Sequence, residues 1–255
     1  MMSKVDVLDL ESRVKDMYRQ VAEQPGAEYH FEIGRSVAER VGYPADVLDQ
    51  IPQGAIESFA GVGYFFDLAA LTEGERVIDL GSGSGTDVFY SALQVGPSGR
   101  VVGIDFTNEQ LDKARRLAAE RGFDQVELRA GRIEWLPLDD GSADCVISNG
   151  VINLSPAKDR VFAEAARVLR PGGRLAIADI VTEQELSEAI VCDARLWASC
   201  IGGASQEGAY RAAIEEAGLQ VVEIRPNAYT FLSDQARSAS SSFGVKSVTV
   251  LARKP

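Results

Sequence analysis

The feature that most constrains this chain is a run of alternating glycines, Gly81-Ser82-Gly83-Ser84-Gly85, placed directly after an apolar pentapeptide, Arg76-Val77-Ile78-Asp79-Leu80. Glycines are needed where a backbone turns sharply and lets a ligand come close. A short buried strand that ends in such a loop and runs into a helix opens a Rossmann-like unit, and the residues that follow repeat the unit. Further strands are predicted at 101–105, 126–129, 144–148 and 174–179, with helices at 86–95, 108–121 and 157–169 between them. A helix at 206–217 and strands at 220–225 and 246–252 complete the series. The alternation predicts an α/β fold, a doubly wound, mostly parallel seven-stranded sheet covered on both faces. Ligands of such sheets sit at the carboxyl ends of the strands.

The residues before the sheet read differently. Leu10, Val14, Met17, Tyr18 and Val21 lie at helical spacing and predict an amphipathic helix over 10–24. In 27–66 short helical pieces alternate with Gly and Pro breaks. We therefore expect an N-terminal helical cap over 1–70 and a ligand-binding domain over 71–255, with substrate-side insertions at about 183–210 and 228–244. The polar stretch 233–242 reads as a surface loop.

Charge and composition narrow the partners. The chain has 38 acidic and 26 basic side chains, a formal charge of -12, which disfavours a nucleic-acid partner. No stretch approaches the ~18 apolar residues of a membrane span. The charged N-terminal stretch has no apolar core of a signal peptide, so a cytoplasmic location is expected. Cys145, Cys192 and Cys200 show no CxxC spacing, and His30 is the single histidine. These counts argue against a disulfide framework and against a metal centre.

Three details specify the ligand. The loop reads GxGxG with Thr86 where the dinucleotide fingerprint has its third glycine. Asp79, just before the loop, suits a cationic amine and resists a pyrophosphate. Asp105, ending the second strand 20 residues after Gly85, can hold two ribose hydroxyls, and Phe106 can lie against an adenine. Adenosine with an amino-acid tail and no phosphate describes S-adenosylmethionine, with S-adenosylhomocysteine as its product. Here the sequence resembles the class I methyltransferases, a likeness that extends to Pro171-Gly172-Gly173. In more detail it resembles the bacterial arsenite methyltransferases, through GYPADVLDQIPQGA (42–55), DLGSGSGTD (79–87), SNGVINLSPAKDRVF (148–162) and LWASCIGGA (196–204). The resemblance implies that Gly131, Ile133 and Glu134 line the adenine side. It also implies that Asn149 lies near the methionine tail, with Gly81, Ser82, Gly83 and Gly85 forming the cofactor loop.

The departures bear on the acceptor. Trivalent arsenic is held by thiolates, because a soft metalloid wants sulfur. Where the family has its cysteines, this chain has Gly150, the pair Tyr29-His30 and the stretch 58–63; only Cys200 matches. The replacements predict a pocket of Phe59, Val62, Tyr64, Phe65, Phe66, Gly150, Trp197 and Cys200 for a small organic acceptor at carbon, oxygen or nitrogen. The same aromatics could equally pack a cap against the sheet, and Cys200 could be a buried hydrophobe. If the acceptor must lose a proton, His30 is the candidate base, with Tyr29 or Tyr64 orienting the acceptor. Two further readings stay open: an arsenite-type enzyme using Cys200, and a fold that binds the cofactor without transferring methyl. The oligomeric state is left open as well.

Overall fold

The computed structural model describes residues 6–29, 31–191, 197, 201–231 and 234–255. The chain forms a sheet in the order β3-β2-β1-β4-β5-β8-β7. Its strands are β1 (Arg76–Leu80), β2 (Arg100–Asp105), β3 (Val126–Ala130), β4 (Ala143–Asn149), β5 (Leu169–Thr182), β7 (Gln220–Pro226) and β8 (Lys246–Arg253). Strands β1 to β5 run parallel, and β8 lies antiparallel between β5 and β7. A two-residue strand, β6 (Ser205–Gln206), which the sequence pattern does not reveal, pairs beside the end of β5.

Side-chain alternation along the strands assigns the two faces. Val77, Cys145, Ile147, Ala176 and Ala178 enter one apolar cluster. Their neighbours Ile78, Val146, Leu175 and Ile177 enter the other. Helices α6 (Thr86–Val95) and α7 (Asn108–Arg121) cover the first face through Val88, Phe89, Leu111 and Ala114. Helix α8 (Lys158–Val168) and helix α10 (Glu207–Glu216) cover the second through Val161, Phe162, Tyr210 and Ile214. The first cluster continues across residue 70. It takes in Val37, Leu48, Ala55, Phe65 and Phe66 from the short helices α2 (Arg35–Val41), α3 (Ala45–Leu48), α4 (Gln53–Ile56) and α5 (Phe66–Ala69) and their connections.

Helix α1 (Val7–Glu23) starts where Asp6 caps it, accepting the amides of Leu8 and Asp9 at 3.0 and 3.2 Å. It buries Leu10, Val14, Val21 and Ala22 along one stripe. A four-residue helix, α9 (Glu188–Val191), follows β5.

Two sequence expectations are corrected. The turn-like Pro171-Gly172-Gly173 does not precede the fifth strand but lies inside it. Gly172 donates to the Lys254 carbonyl and Gly173 accepts from the Lys254 amide, both at 2.9 Å, so the strand extends back to Leu169. The stretch expected as a loop is helix α11 (Asp234–Phe243). Its serines are weak helix formers, yet Ala239 is buried and Ser240 Oγ donates to the Val245 carbonyl at 2.9 Å. Packing overrides propensity there. Among the described residues no helix is long and apolar enough to cross a membrane.

Candidate active site

The sheet order reverses between β1 and β4, whose carboxyl ends part and open a crevice. A cleft of about 1100 Å³, its open mouth included, occupies this position. Its floor is the loop after β1. Gly81 sits at φ +75°, and a Cβ there would meet the Val151 methyls at 2.5 Å, so both conformation and space demand glycine. The amides of Gly81 and Ser82 donate to the Ile104 carbonyl, tying the loop to β2. Gly85, at φ +95°, lets helix α6 begin directly behind the loop against the Phe89 ring.

Asp105 closes the other side of the floor. Its two carboxylate oxygens accept the Thr107 amide at 2.8 Å and the Gly83 amide at 2.9 Å. Burial raises its pKa, and those amides oppose the rise. Phe106, Gly131, Ile133 and Glu134 line the cleft beyond it. Glu134 accepts the Ser155 hydroxyl at 2.5 Å, joining the segment after β3 to the turn after β4.

The corner under β1 and β4 holds two further carboxylates. Asp79 is 2% exposed, and neither of its oxygens accepts a hydrogen bond from the described residues. Burial, with the Asp87 and Asp105 carboxylates nearby, pushes it well above the usual carboxylate range. Asp87, in the first turn of α6, accepts the Tyr43 hydroxyl at 2.5 Å and the Asn149 amide at 3.1 Å. Burial raises it to about 6 against those two bonds. Asn149 in turn accepts the Val62 amide at 2.7 Å and donates to the Gly63 carbonyl at 3.0 Å. This side chain therefore fixes the segment around Gly61 against the sheet.

Ten of the eleven residues expected to hold the cofactor line this one cleft: Asp79, Gly81, Ser82, Gly83, Asp105, Phe106, Gly131, Ile133, Glu134 and Asn149. Gly85 does not, and sits behind the loop at the start of α6. The acceptor-side expectations divide. Phe59 lines the cleft. Val62, Tyr64, Phe65 and Gly150 do not. Phe65 and Val62 are core residues, and Tyr64 places its hydroxyl 2.9 Å from that of Tyr90 within a cluster of edge-packed rings around Tyr43. Gly150 packs beneath Val62. Trp197 donates from its ring nitrogen to the Val191 carbonyl at 2.6 Å and packs with Leu10, Val14 and Leu154, which themselves line the cleft. Tyr29 does not reach the cleft. Its hydroxyl donates to the Gln24 carbonyl at 2.9 Å and its ring stacks on Phe31, so local packing uses the group expected to orient the acceptor. His30, Cys192 and Cys200 lie outside the described residues. Cys145 is core, its thiol pushed up to about 12 by burial.

Sequence reasoning missed three contributions. Helix α1 supplies Leu10, Glu11, Val14 and Tyr18 to the cleft wall, a role that its apolar stripe alone does not announce. Ser155 links Glu134 to the turn after β4. Asp87 was legible in principle, because it is a charge in the first turn of a helix that is otherwise almost wholly buried.

The comparisons with known proteins agree with this geometry. A family model described as a methyltransferase domain matches residues 71–218. The chain belongs to that family, the class I S-adenosylmethionine-dependent methyltransferases. Within it, the chain is similar to arsenite methyltransferases. One from Halobacterium salinarum is 42% identical over 226 residues, covering 88% of this chain and 58% of that protein. One from Aquipseudomonas alcaligenes is 48% identical over 142 residues, covering 53% and 41%. This chain thus spans less than two thirds of either relative. The crystal structure of an arsenic(III) S-adenosylmethionine methyltransferase from Chlamydomonas reinhardtii aligns with a TM-score of 0.64 at 29% identity, over 87% of this chain and 74% of that one.

Proposed function

We propose that this cleft holds S-adenosylmethionine and that the chain transfers its methyl group to a small organic molecule without negative charge. The observation that carries the reading is the charge of the cleft. Five carboxylates line it, from Glu11, Asp79, Asp87, Asp105 and Glu134. Among the described residues, the single basic side chain that lines it, Arg132, is bonded to Glu11. Such a cavity favours a cationic ligand and repels phosphate. Asp79, buried and with no hydrogen-bond donor among the described residues, suits the cofactor's ammonium group. Asp105 and Glu134 suit ribose and adenine, and Phe106 and Ile133 supply apolar surface for the ring. The bound cofactor supplies an activated methyl on a sulfonium.

The chain's own contribution is placement. Phe59, Val14 and Leu154 give the cleft an apolar wall that excludes water and positions an acceptor. Tyr29, which lies off the cleft, is given no role in orienting the acceptor, and His30, the candidate base, lies outside the described residues.

A second reading is favoured by the relatives, which are named arsenite methyltransferases. Cys200 stands in a segment whose Trp197 packs on the cleft wall, and it would supply a thiolate to trivalent arsenic. None of the described residues that line the cleft is a cysteine, and Cys192 and Cys200 lie outside the described residues. One experiment tests both. Purified protein is incubated with labelled S-adenosylmethionine and either arsenite with a small thiol or a panel of neutral organic nucleophiles. Methylated products are then identified by mass, with Asp105→Ala as a cofactor-site control and Cys200→Ser as a thiol control. Transfer to an organic acceptor that survives Cys200→Ser supports the first reading. Transfer to arsenite that disappears in Cys200→Ser replaces it with the second.

A further inference from the structure

The corner beneath β1 and β4 poses an electrostatic problem that the cofactor reading does not by itself resolve. Asp79 and Asp87 are 2% and 6% exposed; burial raises the proton affinity of both, and the Asp87 carboxylate raises that of Asp79 further. Among the described residues, the groups that interact with them are neutral or acidic. They are the Tyr43 hydroxyl from the connection between α2 and α3, the Asn149 amide from β4 and the Asp105 carboxylate from β2. Among the described residues no lysine or arginine bonds to the pair, and the arginine that lines the cleft, Arg132, is bonded to Glu11. Among the described residues no three acidic, cysteine or histidine side chains are grouped to hold a metal ion. Two buried like charges without a counter-ion are costly, and the ordinary outcome is that one of them is neutralised.

Resting on the cofactor reading, we propose that the Asp79–Asp87 pair holds one proton between them and exchanges it for the ammonium group of the incoming cofactor. Asp87 is then a specificity-determining residue as well as part of the hydrogen-bonded network around Tyr43. Its partners divide by geometry. Tyr43 and Asn149 occupy its two oxygens as donors, so it keeps a carboxylate form available at modest cost. Asp79, with no donor, is the natural seat of the proton. When a cation takes the place of that proton, both carboxylates become charged, and Asn149 remains held by Asp87. The balance is simple: a protonated pair and an ammonium cation give an ionised pair, a bound ammonium and one proton released to buffer. The arrangement selects ligands that carry the amino-acid tail, because a neutral tail leaves the proton where it is.

The exchange can be counted by calorimetry, without turnover. S-Adenosylmethionine is titrated into the full chain at pH 6.5 in two buffers of different ionisation enthalpy. A free α-amino group, with its pKa near 7.7–8.0, is almost wholly protonated at that pH. The difference in heat gives the protons released. Between about 0.5 and 1 proton per bound cofactor is expected, given the raised proton affinity of the pair. 5′-Methylthioadenosine, the same nucleoside without the amino-acid tail, is expected to release none. Asp87→Asn should cut the release by the full cofactor to less than half. Cofactor binding without proton release overturns the proposal, and so does an unchanged release in Asp87→Asn. Equal release by the two ligands overturns it too, and assigns the proton to Asp105 on the ribose side. Absence of binding by both ligands at millimolar concentration defeats the cofactor reading itself, and this proposal with it.

Discussion

The two walls of the cleft are built by different means. On the sheet side, the loop after β1 and the end of β2 place Asp79, Gly81 and Asp105 through backbone geometry. A left-handed glycine, two amides on one carboxylate and the strand register fix their positions. On the N-terminal side, α1 and the segment 58–61 carry Leu10, Val14, Tyr18 and Phe59, whose place in the wall is set mainly by side-chain packing, with a few hydrogen bonds tethering the backbone behind them. Backbone-dictated positions tolerate almost no change of residue type and leave a motif in the sequence. Packed positions require only an apolar side chain of suitable volume, and leave no motif. The first wall therefore fixes the class of cofactor, whereas the second is free to change acceptor without altering the fold.

Gly81→Ala should produce the largest effect, because it attacks the backbone-built wall directly. The added Cβ would stand 2.5 Å from the Val151 methyls at φ +75°, so either the loop or the turn after β4 must move. Cofactor binding measured by calorimetry should fall by at least about 100-fold, the scale of a strained left-handed residue combined with a core clash. Retained affinity within tenfold would show that this wall is more pliable than its geometry implies.

Next comes a pair of substitutions on the packed wall. Phe65→Ala empties a fully buried site and should cost about 3–5 kcal/mol in denaturant unfolding. It should leave cofactor affinity in the folded protein nearly unchanged, since Phe65 does not line the cleft. Phe59→Ala should instead raise the acceptor KM, because this ring does line it. If Phe65→Ala changes acceptor KM more than Phe59→Ala does, the distinction between lining and packing aromatics fails. The pair also shows where the sequence stops being readable. Phe59, Val62, Tyr64 and Phe65 form one aromatic-rich stretch, and nothing in its composition distinguishes Phe59, which lines the cleft as well as packing on Tyr43, from Tyr64 and Phe65, which do not line it. By contrast, Asp79, Asp105 and the glycines were legible because each answers a local requirement of backbone or charge. Asp87 and α1 fall between. Asp87 was a visible charge in an apolar helix, and α1 a visible stripe, but only the fold brings them to the same cavity as the loop. The helix at Asp234–Phe243 was not legible at all, since its serines argue locally for a loop.

A pH measurement probes the joint between the walls. Asp179 on β5 is 1% exposed and accepts the Tyr210 hydroxyl at 2.6 Å and the Asn153 amide at 2.9 Å, pinning the turn Ile152–Leu154 beside the cleft. Burial raises it to about 6. The folded carboxyl keeps its proton up to that pH, whereas the unfolded chain releases it near 3.9. Stability is therefore greatest below about pH 4 as far as this group is concerned, and falls by up to about 3 kcal/mol as pH rises to 6 and beyond. Asp179→Asn removes that slope. Denaturant unfolding at pH 4.5 and 7.5 should show a smaller difference in the variant than in the parent protein. An equal difference would mean that the turn does not depend on the charge state of Asp179.

The smallest effect is expected at the rim, where Arg132 bonds Glu11 and so connects α1 to the segment after β3. Arg132 is about half exposed, and such pairs contribute about 0.2–1 kcal/mol. Helix α1 has other anchors. Gln110 donates to the Tyr18 carbonyl at 2.8 Å, Ser58 donates to the Val21 carbonyl at 3.1 Å, and Leu10 and Val14 pack with Trp197. Glu11→Gln should thus weaken cofactor binding by no more than about fivefold, in line with the upper end of that range. It should also lessen the dependence of binding on salt. A much larger loss would place the control of the cleft in this one ion pair. The packed wall would then be held by a single polar contact, and the contrast between a motif-built wall and a packing-built wall would give way to one between a fixed floor and a latched helix.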